Sequence, residues 1–206
     1  MIQLKSVNHP FRSLAVYQHA VSAIKRAEAM GLLPDKEVIE VLDRQTLTRV
    51  LTDIARAGIG RGLFAGLAEP ADLDAEHLGK LLEQLNDALE ESPAPAHEWA
   101  HLVGILGVDQ LARLLAVSPS SVRRYKQSAR ATPDDIAARL HFLALVVGDL
   151  AGAYNDIGIR RWFERPRTPL ANRAPQEFLR RAWSPHDTGP TKIRDLARGL
   201  ASAGAT

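Results

Sequence analysis

The stretch from Gly107 to Gln127, GVDQLARLLAVSPSSVRRYKQ, constrains the fold more than any other. Two short helices can meet at a tight turn only if the first offers a small residue at the contact and the second carries apolar anchors. Leu111, Ala112 and Leu115 belong to the first helix, with Ala112 as the small contact. Val117 is the expected buried turn residue. Ser118-Pro119 starts the second helix: serine caps it, and proline fits the first turn, where no amide partner is lost. Val122 and Tyr125 then face inward. The pattern predicts a helix-turn-helix over Asp109–Gln127. Ala116 stands where many such motifs carry glycine, so a slightly altered turn is expected. Ser120, Ser121, Arg123, Arg124, Lys126 and Gln127 are left facing outward. That set suits duplex DNA, because arginine reads guanine bidentately, serine adapts and lysine holds phosphate. The alternative is a hairpin that kept the fold and lost DNA.

The charge distribution bears on the same question. Residues 1–90 carry 10 Lys/Arg and 13 Asp/Glu, residues 91–130 carry 5 and 3, and residues 131–206 carry 11 and 8. The basic excess therefore lies with the helix-turn-helix and beyond it, where phosphate neutralisation needs it. There is no cysteine, which excludes disulfides, thiolate metal sites and cysteine nucleophiles. The start, MIQLKSVNHPFRSL, lacks the apolar core of a signal peptide. The longest apolar run, Phe142 to Val147, is too short to span a bilayer. The expectation is a cytoplasmic protein without a membrane segment.

Residues 1–92 read as wholly helical, with no persuasive strand. Leu14 to Met30 forms a first helix, stopped by Gly31. Pro34-Asp35 opens a second, along which Val38, Ile39, Val41, Leu42, Leu47, Val50, Leu51 and Ile54 recur at helical spacing. Gly58, Gly60, Gly62 and Gly66 then break the pattern. AGIGRGLFAGL lacks the Gly-Lys-Ser/Thr and the preceding strand of a phosphate loop, and reads as a helix connector. A third helix runs roughly from Asp74 to Glu91. Ser92-Pro93-Ala94-Pro95 is the linker candidate. The expected organisation is thus 1–92, a helix-turn-helix region at 96–130, and a C-terminal region at 131–206, all α.

His97-Glu98-Trp99-Ala100-His101 spells H-E-x-x-H. On a helix the two histidines share a face and can bind zinc, with Glu98 as general base on a metal-bound water. A catalytic site needs a third ligand, and one zincin class would place it where Gly107 stands. The competing reading is a polar helix face with Trp99, Leu102, Val103, Ile105 and Leu106 packed inward.

Thr132-Pro133-Asp134-Asp135 reads as a further capped start. Ile136, Leu140, Leu143, Val147, Leu150 and Tyr154 follow as one stripe, widened by Phe142, Leu145 and Val146. Such a helix is either a core helix or a dimer seam. GIRRWFERPRTPLANRAPQEFL comes next. Through Arg161-Trp162-Phe163, Pro166, Pro169-Leu170, Arg173, Pro175, Phe178 and Leu179 it resembles the C-terminal toxin-binding domain of the Xre/MbcA/ParS antitoxin family. The helix-turn-helix is similar to Xre-type modules, and the whole resemblance covers residues 107–203. The family commonly reads Leu-Gly-Gly-Arg-x-Pro where this chain has Leu170-Ala171-Asn172-Arg173-Ala174-Pro175. Asn172 tolerates a left-handed backbone; Ala171 is harder to place there.

The resemblance implies a non-enzymatic type II antitoxin, without a cofactor, that blocks a RES-type NAD-consuming toxin and represses its own operon, commonly as a dimer. It points to Arg161, Trp162 and Arg173 for the toxin. The tail adds Lys192, Arg194 and Arg198 on a final helix capped by Thr191, with Ile193, Leu196, Ala197 and Leu200 on its other face. The alternatives are a solitary helix-turn-helix regulator whose final helix closes its own core, and a zinc metallopeptidase built on H-E-x-x-H.

Overall fold

A computed structural model describes residues 2–34, 38–64 and 74–203. These residues form ten helices and two short strands, so the fold is essentially all-α, as the apolar periodicity predicts. The chain forms two compact units, Met1–Ser92 and Pro93–Thr206. The join falls inside Ser92-Pro93-Ala94-Pro95, and Pro95 opens the next helix.

The first unit departs from the wholly helical expectation. β1 (Ile2–Val7) and β2 (Ile39–Leu42) pair in parallel, with Ile2 opposite Ile39 and Val7 opposite Leu42, and α1 (Leu14–Ala29) makes the crossover. The apolar series from Val38 to Ile54 is therefore two elements. Its first part is rich in β-branched residues, which suit a pleated strand. Asp43 then takes an extended backbone and accepts from the Thr46 amide, starting α2 (Arg44–Arg56) as its cap. Asp35 of the expected Pro34-Asp35 helix start lies outside the described residues, as does Gly66. The glycine-rich connector holds one short helix, α3 (Arg61–Phe64), after Gly58 and Gly60 at positive φ.

α4 (Ala75–Glu91) matches the helix expected from about Asp74 to Glu91; Asp74 caps it, and the helix packs on α1. Ala20, Ala23 and Ala27 are buried on α1, and Leu78, Leu82, Leu85 and Leu89 are buried on α4. Each such leucine contributes about 1.5–3 kcal/mol. Asn86, buried in this contact, donates to the carbonyls of His19 and Leu82 and accepts from Arg26 at 2.8 Å, so its polar atoms are satisfied.

In the second unit, α5 (Pro95–Leu106), α6 (Val108–Leu115) and α7 (Pro119–Lys126) lead into α8 (Asp134–Leu150). α8 is buried on all sides: from Ile136 to Leu150 every residue except Ala138 and Asp149 is buried. A helix of that kind has to be covered on all sides. α5, α6 and α10 (Thr188–Ala203) supply the cover within the same chain. The long apolar stripe is accordingly a core helix and is not available as a dimer seam. Its cap differs from the expectation: Pro133 occupies the cap position without a side-chain bond, and the Thr132 hydroxyl instead accepts from the Trp99 indole at 2.9 Å. α9 (Asp156–Glu164) starts at Asn155, whose side chain accepts from the Gly158 amide. No described helix is long and apolar enough to cross a membrane.

Candidate nucleic-acid interface and C-terminal loop

α6 and α7 form the predicted hairpin. Leu111, Ala112, Leu114 and Leu115 are buried on α6, and Val122 and Tyr125 on α7. The turn keeps the geometry that glycine would give it: Ala116 sits at φ 57°, ψ 42°. An L-residue there costs roughly 1–2 kcal/mol, so the surrounding packing holds it. Val117, expected to be buried, is only half-buried. The Ser118 hydroxyl accepts from the Ser121 amide at 3.1 Å and lies 2.9 Å from the hydroxyls of both Ser120 and Ser121.

The last carbonyls of α6 have no helical partner. Two side chains from elsewhere satisfy them. The Trp183 indole donates to Leu114 O at 2.9 Å. Arg139, buried in α8, donates to Leu115 O at 3.3 Å, to Trp183 O at 2.7 Å and to Asp135 at 3.1 Å. Trp183 also meets Phe142 edge-on at 5.2 Å. On α7, Tyr125 stacks on Trp99 at 5.2 Å and carries the Arg130 guanidinium at 5.8 Å from its ring centre. The hairpin is thus fastened to the core at both helices.

Of the outward set, Ser120, Arg123, Arg124, Lys126 and Gln127 are exposed and Ser121 is half-buried. From Gln110 to Pro133 the chain has no Asp or Glu, while Arg113, Arg123, Arg124, Lys126 and Arg130 are all exposed. Arg130 lies beyond the motif that the anchor spacing marks at Asp109–Gln127. Its signal is the acid-free run that continues past the second helix. Cations in the last turn of α7 also oppose the helix dipole, so part of this charge serves the helix itself.

The C-terminal motif forms a tight loop after α9. Arg167 and Arg173 bridge in antiparallel fashion, and Thr168–Leu170 makes a 3-10 turn. Ala171 and Asn172 have φ of 54° and 57°, so the expected left-handed backbone is present at both positions. Arg173 lies over the Phe178 ring at 4.3 Å. Glu177 accepts from the Ala174 amide at 2.9 Å, which holds its carboxyl below the ordinary glutamate range, with Arg173 assisting. Phe178 in turn rests on Gly189 of α10, where an added Cβ would lie 2.9 Å from the ring.

Several expected partner contacts are placed otherwise. Trp162 is wholly buried, edge-on to Phe163 at 5.3 Å and under the Arg167 guanidinium, and so is an internal anchor. Arg194, expected on the outer face of the last helix, is 6 % exposed and pairs with Asp149 of α8 at 3.0 Å. Ile193 and Ala197 of α10 are buried and Leu196 half-buried, with α10 packed on α8, so its apolar face closes this protein's own core. That helix starts at Thr188, and Thr191 lies inside its first turn with its hydroxyl donating to Asp187 O. Arg161, Arg173, Lys192 and Arg198 are exposed, on three separate elements. Arg161 lines an open cleft of about 400 Å³ between the start of α6 and α9, shared with Asp109, Arg113, Ile157 and Glu164.

In H-E-x-x-H, His97 is exposed and His101 half-buried, but Glu98 is fully buried. One of its oxygens lies 2.6 Å from Nδ1 of the buried His141. The carboxylate is directed into the core, away from any water a metal would activate. Among the described residues no three His, Cys, Asp or Glu are grouped to hold a metal ion. No protein-family model, curated protein or solved structure matches the chain.

Proposed function

We propose that this chain is a non-enzymatic, cytoplasmic DNA-binding regulator of the antitoxin type. It reads duplex DNA with α7 and holds a RES-type toxin with the polar surface of its C-terminal region. The observation that carries the DNA reading is the exposed row Ser120, Arg123, Arg124, Lys126 and Gln127. It lies on a helix pinned by Val122 and Tyr125, inside a run without a single acid. A rigid scaffold with adaptable donors is what base recognition requires, and unopposed cations supply the phosphate term. As a homodimer the protein would present two such helices to the two halves of an operator.

The toxin reading is supported by the left-handed backbone at Ala171 and Asn172, the conformation a Gly-Gly pair favours at that place in the similar domains. The burial of Trp162, Arg194 and the apolar face of α10 narrows the partner surface to Arg161, Arg173, Lys192 and Arg198. The same burial favours the second reading, a solitary regulator whose last helix only closes its core.

Gel shifts with the DNA upstream of the gene test the first part. Arg123→Ala should weaken a specific site by about 1–3 kcal/mol if it reads a base. Equal affinity for the wild type and an Arg123→Ala, Arg124→Ala double variant would remove α7 from the interface. Co-expression with a neighbouring RES-like gene tests the second part. Growth rescue that survives Arg161→Glu, Arg173→Glu, Lys192→Glu and Arg198→Glu together would remove this surface from the mechanism. No rescue by the wild type would leave the solitary regulator.

A further inference from the structure

We infer that Arg180 and Arg181 belong to the same DNA-facing surface as α7, where they hold phosphates beside the turn that leads into it. The inference rests on the DNA-binding reading above and extends it to a segment more than fifty residues further along the chain.

The placement follows from Trp183. Its indole N–H is fixed to Leu114 O, and its own carbonyl is fixed to Arg139, which also holds Leu115 O. Leu114 and Leu115 are the last residues of α6, immediately before Ala116 and the Ser118 cap of α7. Arg181 is two residues from Trp183 and Arg180 three. The chain therefore cannot carry them more than about 7 and 11 Å from it. A further bond, from the Trp183 amide to Arg181 O at 3.1 Å, tightens that link. The buried bonding of Arg139 and Trp183 thus brings two arginines to the mouth of the helix-turn-helix.

The chemistry of the two side chains suits the role. Both are exposed, on a segment that carries no acid between Glu177 and Asp187. Two carboxylates of the neighbouring elements already have other partners: Asp135 holds Arg139 at 3.1 Å, and Glu177, which also feels the charge of Arg180, accepts from the Ala174 amide and pairs with Arg173. Arg181 is also held at φ 65°, a conformation that an L-residue adopts only when its surroundings impose it. Such a pair gives sequence-independent affinity, steep in salt, alongside the base contacts of α7.

The test is fluorescence anisotropy of full-length protein on a random-sequence duplex about three helical turns long, at salt from about 50 to 200 mM. The variants are Arg180→Gln with Arg181→Gln, and Arg181→Gly, which keeps the left-handed backbone and loses the charge. Lys80→Gln in the first unit is the control. Each phosphate contact contributes about 0.9 to the slope of log affinity against log salt. Over this fourfold range the double variant should therefore lose about 12-fold less affinity than the wild type. Arg181→Gly should show about half of that change in slope, and Lys80→Gln none. If the wild type binds and the double variant has the same slope, the inference fails and the α7 reading stands. If the wild type does not bind duplex DNA at any salt, the DNA reading itself fails. If the double variant keeps its salt slope but loses toxin neutralisation, the two arginines serve a protein partner and the inference is overturned.

Discussion

Replacing Trp183 with phenylalanine tests the claim that this one side chain fastens the helix-turn-helix to the core. The substitution keeps an aromatic ring against Phe142 and removes the indole N–H from Leu114 O. A buried carbonyl left without its donor costs about 1–3 kcal/mol. The lost ring volume at a site 4 % exposed adds a cavity term of about 1 kcal/mol. The expected loss is about 2–4 kcal/mol, confined to the second unit. Urea unfolding followed by tryptophan fluorescence reads that unit alone, since the three tryptophans are Trp99, Trp162 and Trp183. Two reporters remain in the variant. The midpoint should fall without a change in the slope of stability against urea. A loss below about 0.5 kcal/mol would refute the reasoning, because it would mean that water or the backbone satisfies Leu114 O as well as the indole does. A full loss with unchanged affinity for DNA would show that the anchor stabilises the hairpin without positioning it.

Three further outcomes follow from single residues. Ala171→Gly should stabilise the second unit by about 0.5–1 kcal/mol, the left-handed strain relieved less the added entropy of an unfolded glycine, whereas Ala171→Val should destabilise it; urea midpoints decide. His141→Leu should cost about 3–5 kcal/mol because it strands the buried Glu98 carboxylate. The Glu98→Leu, His141→Leu double variant should recover most of it, and additive losses would contradict the pairing. Glu177, held below its ordinary pKa of 4.5 mainly by the Ala174 amide, contributes stability that is present above that value and lost as pH falls through its lower folded pKa. Glu177→Gln should therefore flatten the acid limb of the stability profile, and an unchanged limb would show that the amide contact is not kept in solution.

What was legible in the sequence is what local rules decide. The helix-turn-helix could be read because its anchors, its Ser118-Pro119 start and its outward cations all lie within a few turns of one another. The helix from about Asp74 to Glu91, the stop at Gly31 and the proline linker are local in the same way. The acid-free run that includes Arg130 is equally local, but it extends beyond the motif.

What only the tertiary structure decided depends on which surfaces meet. β1 and β2 pair across more than thirty residues, and a parallel partner leaves no local trace, so β2 read as the start of a helix. Trp162 and Arg194 fit an interface by residue type, yet α9 and α10 turn them inward, Arg194 because Asp149 of α8 stands opposite it. Glu98 fits a zinc motif by spacing, but helical spacing states only that the two histidines share a face. The position of α8 decides that the carboxylate between them faces His141. Arg139 is a cation inside an apolar stripe and looks misplaced until the open carbonyls of Leu115 and Trp183 are found beside it. A side chain's periodicity follows from its own helix, whereas its burial and partners follow from what packs against that helix.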